Sequence, residues 1–342
     1  MEFSWSPRDG EPALVDIGED AALELALPIL PASRARLLGP GDDAAVIAAP
    51  DGRFVVTGDT MIEGPDFRQE WTTPESFGWK LVATNLADIA AMGAEPVALV
   101  MSIAVPGDAR ASVLAEMARG MRDACLQLAP GCGIEGGDLA RSSVITGAAT
   151  AFGDLDGRAP VLRSGARPGD VVAVSGGLGL ASRGLALLFE RATEDGAPDE
   201  FALARLRAAA SEDELAALDA QLWPRPPIAD GVLAALAGAT AMLDVSDGLA
   251  LDASRIARAS GVALALESAR IEEAAGGAER CAEWSVERVL AGGEDHALLA
   301  AFPPDAALPG GFRAIGRVEA GSGLLVDGRP YAGPLGWDPF RP

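Results

Sequence analysis

The chain is poor in the residues on which several protein classes depend. Only three cysteines, Cys125, Cys132 and Cys281, stand among its 342 residues. That is too few for a disulfide framework, and their spacing is not that of paired zinc ligands, so structural thiols in a reducing compartment are expected. Basic residues number 27 against 50 acidic ones, for a net charge of -23. The basic footprint that would neutralise nucleic-acid phosphates is missing, which argues against a nucleic-acid partner. The N-terminus is acidic and polar where a signal segment would be basic and then apolar, and the apolar stretch 21–30 is short and contains Glu24. No uninterrupted run reaches membrane-spanning length. The expectation is a cytoplasmic protein with no membrane partner. No GxxxxGK[ST] phosphate loop occurs, and the single histidine, His296, heads an apolar stretch where a structural role is expected.

What is present is a globular composition, 49% apolar and 23% charged, which rules out a disordered chain. The length suits two domains of ordinary size. Helical periodicity runs over 74–91 and again over 111–128 and 249–260, and short β-rich runs occupy 53–57, 97–105, 144–152, 171–174, 241–244, 262–266 and 296–302. Each half pairs strands with long helices and has a glycine-rich acidic turn. The polar, Pro- and Gly-containing stretch 158–170 fits a boundary, dividing the chain into 1–158 and 159–342. The fold class read from this pattern is α/β to α+β in two domains.

The distinctive content is a set of aspartates in small-residue settings far apart in sequence. They are GPGDDAAV at 39–46, TGDT at 57–60, NLAD at 85–88, GGD at 136–138 and DVSDG at 244–248. Carboxylates that converge repel one another unless hard cations sit between them, so the set points to Mg²⁺, a polyphosphate and phosphoryl transfer. Asp42 and Asp43 follow Pro40 and Gly41 in a turn, and Asp59 is expected at a strand end. Asp88 lies on an apolar helix, where a carboxylate needs a partner; helix capping is its alternative explanation. Gly136 and Gly137 are read as a turn whose N–H groups approach phosphate while Asp138 binds metal. Asp244 and Ser246 share one side of a strand end. Asp247 stands at the turn into helix 249–260, with capping again the alternative. Glu294 follows two glycines, and Trp337 offers either a tail anchor or a ring for stacking on a heteroaromatic substrate.

Taken together these segments resemble the thiamine-monophosphate kinase family. The matching pieces are GPGDDAAV, DTMIEGPDF, KLVATNLADIAAMGAEP, GIEGGDL, DGRAPVLRSGARPGD, MLDVSDGLALD, SGVAL, GGEDHALLA and the terminal GWDPF, in order from about Leu37 to Phe340. The resemblance implies the two-domain aminoimidazole ribonucleotide synthetase-like architecture. Its N-terminal domain, 1–158, would bind ATP and Mg²⁺ and contribute its sheet to a dimer-interface barrel in a homodimer; 159–342 would be the synthetase-like domain. It implies transfer of the γ-phosphoryl group of ATP to thiamine monophosphate, with several Mg²⁺ ions. By resemblance Asp43, Thr57, Gly58, Asp59, Asp88, Asp138, Asp244 and Asp247 match metal-binding positions. Gly137, Asp138, Arg163 and Ser246 match ATP-contacting positions, and Asp66, Glu294 and Trp337 match positions around the acceptor. Asp138 and Asp247 carry an electrostatic role, and no residue is assigned as general base or nucleophile. The chain departs from many relatives at Asp66, where they carry histidine. Two other readings stay open here: a different ATP-dependent enzyme of the same superfamily, and a noncatalytic metal- or nucleotide-binding regulator.

Overall fold

A helix with no continuous polar face has to be surrounded, and residues 74–91, with charges only at Glu75, Lys80 and Asp88, form such a helix. In the computed structural model, which describes residues 5, 10–39, 44–277 and 285–338, this is α2 (Pro74–Ala91), and every residue of it except Glu75 and Asp88 is buried. Its neighbour is α3 (Val113–Leu128), with one buried and one solvated face. The two touch backbone to backbone at glycines. A methyl group on Gly78 would stand 2.2 Å from the Met117 carbonyl oxygen, and one on Gly120 would stand 1.8 Å from that of Glu75.

The chain forms two compact units, each discontinuous in sequence. Unit 1 comprises Met1–Leu86, Pro96–Asp154 and Leu187–Leu215; unit 2 comprises Ala87–Glu95, Leu155–Ala186 and Ala216–Pro342. Local contacts explain the interleaving. Trp71 donates its indole N–H to the Ala192 carbonyl at 2.7 Å and packs edge-on against Phe189, which ties 187–215 to unit 1. The Met92 carbonyl accepts the Val161 N–H at 3.0 Å, and a methyl on Gly231 would lie 2.1 Å from the Ala90 carbonyl oxygen, which ties 87–95 to unit 2.

Unit 1 opens with α1 (Leu14–Ala26), interrupted at Gly18, then a hairpin of β1 (Arg36–Leu38) and β2 (Val46–Ile47). Its main sheet has four strands, β3 (Val55–Ile62), β4 (Glu95–Val105), β5 (Gly133–Arg141) and β6 (Thr146–Asp154), in the order β3-β6-β4-β5. Strands β3 and β6 are antiparallel, while β4 and β5 run parallel. The dimer-interface barrel expected for this sheet is not formed: the sheet is open, with β3 and β5 as its edges. The reason is that β3 and β5 do not pair with each other, and closure needs both edges paired.

In unit 2 a seven-stranded sheet carries the core. Its strands are β7 (Val171–Ser175), β10 (Ala241–Val245), β11 (Ala263–Leu266), β12 (Ala297–Phe302), β13 (Arg313–Glu319), β14 (Gly323–Val326) and β15 (Arg329–Pro330). They run in the order β10-β12-β7-β13-β11-β14-β15, and β8 (Thr193–Glu194) and β9 (Ala197–Pro198) form a separate small hairpin in unit 1. Helices α4 (Leu180–Arg191), α6 (Glu212–Leu222), α7 (Ile228–Leu236) and α8 (Leu249–Ser260) follow the apolar runs that define them, and α5 (Glu200–Ala209) lies in unit 1. Val172, Leu243, Leu264 and Leu299 from the sheet pack against Ala253 and Ile256 of α8 in one buried cluster.

Candidate active site

In unit 1 the glycine-acid segment lies inside β5 and not in the turn expected from sequence. Leu99 pairs with Ile134 and Val100 with Gly136, so Glu135 is an extra residue, a β-bulge. The Glu135 carboxylate is buried and holds the bulge in place: it accepts the Ser33 N–H and lies 2.5 Å from Arg36 Nε. A methyl on Gly137 would stand 2.2 Å from the Met101 carbonyl oxygen, whereas one on Gly136 would meet nothing within 4 Å. Gly137 is therefore demanded by strand packing, and Asp138 emerges exposed beside it. Gly136, Gly137 and Asp138 border an apolar cavity of about 350 Å³. Met101, Met117 and Met121 line it, and so do Ala44 and Ala45, the residues that follow Asp42 and Asp43. Asp42 and Asp43 themselves lie outside the described residues.

Thr57 and Asp59 share one face of β3, while Gly58 is on the opposite, exposed face. Asp59 sits mid-strand, and its N–H donates to Asn85 Oδ1 at 3.0 Å. Asn85 is fully buried and returns its Nδ2 to the Leu81 carbonyl at 2.8 Å, which clamps α2 to β3. Because β3 and β5 are opposite edges, Asp59 and Asp138 are separated by three strand spacings, about 14 Å. The sheet does not bring these two carboxylates onto a common ion. Asp88 is, with Glu75, one of the two half-buried residues of α2. The Asp66 carboxylate accepts the Ile62 N–H at 2.7 Å and closes the turn after β3, which gives the departure from histidine a local structural use.

Unit 2 gathers three separate segments by backbone hydrogen bonds. The Glu294 N–H donates to the Ser246 carbonyl at 2.7 Å, and the Trp337 N–H donates to the Asp247 carbonyl at 2.8 Å. The approach is close enough to require glycine: a methyl on Gly293 would lie 2.6 Å from the Ser246 oxygen, and one on Gly336 would lie 2.2 Å from that of Asp247. Ser246, Asp247, Glu294 and Trp337 thus form one cluster, with the Trp337 ring 58% exposed. Asp247 does not cap helix α8. No side chain caps it at Gly248; the Asp252 carboxylate, in the first turn, reaches back to accept the N–H groups of Asp247 and Gly248, both at 3.2 Å. The Asp247 carboxylate instead meets Arg255 Nη2 at 2.7 Å, and Arg255 Nη1 holds Asp252 at 2.5 Å. Asp244 is buried, 3.2 Å from His296 Nδ1. Arg163 is exposed, and its carbonyl accepts the Ser260 hydroxyl at 3.1 Å.

Two carboxyls here are displaced from the ordinary range. Burial pushes Asp252 up to about 6, against the attraction of Arg255 and with help from the charges of Asp244 and Asp247. Burial likewise pushes Asp295 up to about 7, although it accepts the N–H groups of Ala181 and Gly179.

Among the described residues no three His, Cys, Asp or Glu side chains gather closely enough to form a metal cage. The donors that the set offers are nonetheless all oxygens: carboxylates, the Thr57 hydroxyl and the Gly58 carbonyl. That suits Mg²⁺, which takes one or two protein carboxylates and completes its shell with phosphate oxygens and water. Sequence reasoning missed Asn85, Gln221, Asp252 and Arg255. The signal for Asn85 and Gln221 was a polar amide on a buried helix face; the pairing of Arg255 with two aspartates had none.

The family described as AIR synthase related protein, N-terminal domain, matches residues 41–155. The thiamine-monophosphate kinase of Mycobacterium tuberculosis is 41% identical over 336 residues, covering 96% of this chain and 93% of that protein. The chain belongs to the thiamine-monophosphate kinase family. Family structures share its fold. The crystal structure of thiamine-monophosphate kinase from Stenotrophomonas maltophilia K279a is 29% identical with a TM-score of 0.71, covering 94% of this chain and 98% of that one. AaThiL complexed with AMPPCP and TMP is 29% identical with a TM-score of 0.72, covering 98% of this chain and 100% of that one. Among the described residues no helix is long and apolar enough to cross a membrane.

Proposed function

We propose that this chain transfers the γ-phosphoryl group of ATP to the phosphate of thiamine monophosphate, giving thiamine diphosphate and ADP. The observation that carries the reading is the 41% identity sustained over 93% of the M. tuberculosis kinase. The AaThiL complex with AMPPCP and TMP supports the choice of both ligands. The protein acts as a cytoplasmic homodimer, with 1–158 serving the nucleotide and subunit pairing and 159–342 the remaining contacts. The exposed apolar side chains Val56, Ile62 and Val100 on the outer face of the open sheet support subunit pairing.

In unit 1, Gly137 and Asp138, beside the methionine-lined cavity, are the proposed contacts to the ATP phosphates; in unit 2, Arg163 and Ser246 are the proposed nucleotide contacts. In unit 2, Glu294 and Trp337 are the proposed acceptor contacts, with the exposed Trp337 ring able to stack on a heteroaromatic group, and in unit 1 the proposed acceptor contact is Asp66. Asp43, Thr57, Gly58, Asp59, Asp88, Asp138, Asp244 and Asp247 would hold Mg²⁺, which when bound neutralises polyphosphate charge. The acceptor is an ionised phosphate oxygen, so no side chain has to remove a proton. His296, buried against Asp244, stays structural. The residues therefore act by positioning and electrostatics, in a direct in-line transfer. The test is ³¹P NMR of a mixture of the protein, ATP, Mg²⁺ and thiamine monophosphate. One thiamine diphosphate per ADP is expected; ADP with free phosphate and no thiamine diphosphate would refute the reading.

A further inference from the structure

Helix α6 buries Ala217, Leu218, Gln221 and Leu222 on one face, so a glutamine stands where an apolar side chain would pack at no cost. Gln221 is 4% exposed and closely held: a methyl on Gly184 of α4 would lie 3.0 Å from its Cβ and 2.1 Å from the Ala217 carbonyl oxygen. Its Nε2 donates to Glu294 Oε2. Its Oε1 is buried and accepts no hydrogen bond. The amide cannot be turned over to relieve this, because a carboxylate only accepts and must face the NH₂ group. Glu294 is itself fixed in an uncommon backbone conformation, with φ of 66°, directly after Gly292 and Gly293. The molecule thus keeps a half-satisfied amide in its interior whose visible product is the orientation of one carboxylate.

We propose that Gln221 is a positioning residue that aims the Glu294 carboxylate at the amino group of the acceptor's aminopyrimidine ring. This rests on the reading above that Glu294 contacts the acceptor. A residue kept for the fold should stabilise it, whereas the unpaired carbonyl makes Gln221 a burden on the fold. Gln221→Met keeps the volume and removes both polar ends.

The experiment measures melting temperature and both KM values for wild type, Gln221→Met, Glu294→Ala and the double variant. Gln221→Met should melt at or above the wild-type temperature. It should raise KM for thiamine monophosphate roughly ten-fold, the scale of one hydrogen bond to a charged group, and leave KM for ATP within about two-fold. In the Glu294→Ala background it should change KM no further, since its effect passes through Glu294. A lower melting temperature, failure to fold, an unchanged acceptor KM or additive effects would each overturn the proposal. If the wild type makes no thiamine diphosphate, the functional reading falls and this proposal with it; an active wild type with an unaffected Gln221→Met removes the proposal alone.

Discussion

Asp138 and Asp252 show how differently two aspartates serve. Asp138 is exposed at a sheet edge, so its truncation leaves packing intact. Asp138→Ala should lower kcat/KM at least about a hundred-fold, as expected for an electrostatic contact on a transferring phosphoryl group, with an unchanged melting temperature. Activity within a few-fold of wild type would remove Asp138 from the chemistry. Asp252 is buried, with its carboxyl pushed up to about 6 from an unfolded value of 3.8. Between those values the folded chain keeps a proton that the unfolded chain has lost. Its contribution to stability is therefore complete below about pH 4 and is lost as the pH rises through about 6. The stability of wild type relative to Asp252→Asn, measured by urea denaturation, should fall over that window by at most about 1.4 kcal/mol per pH unit. A pH-independent difference would contradict the assignment. The aspartates were legible as a set because they stand in glycine-rich contexts. Which of them caps, pairs or faces solvent was not, since Arg255 reaches Asp247 and Asp252 only through the folded first turns of α8.

At the scale of elements, most helices and strands follow from periodicity alone. α2, α3 and α8 begin and end within two residues of the expected 74–91, 111–128 and 249–260. The segment 133–141 does not. Three glycines in nine residues read as a turn, yet the segment is a strand in which two of them stand where neighbours leave no room for a side chain: a methyl on Gly133 would lie 2.0 Å from the Ser33 nitrogen and one on Gly137 2.2 Å from the Met101 carbonyl oxygen. Such a demand comes from residues distant in sequence and leaves no local trace. It gives a paired prediction. Gly137→Ala should destabilise the protein by about 1–3 kcal/mol by forcing β4 and β5 apart. Gly136→Ala, with open space around it, should stay within about 0.5 kcal/mol. Calorimetry showing equal effects would refute the bulged register of β5.

At the scale of the whole molecule, the expectation of two α/β domains stands, while the barrel gives way to an open four-stranded sheet. A cut at one point in the sequence could not anticipate that 87–95 and 187–215 cross between the two units, because Trp71 and Gly231 make that exchange through contacts far along the chain. What the molecule as a whole must do is pass one phosphoryl group between two anions without taking it up itself. A single-turnover quench with γ-³²P-labelled ATP, Mg²⁺ and thiamine monophosphate tests this most directly. The label should appear in thiamine diphosphate as fast as ADP forms, with none bound to protein. Label trapped on the protein, or released as inorganic phosphate while thiamine monophosphate stays unchanged, would contradict it.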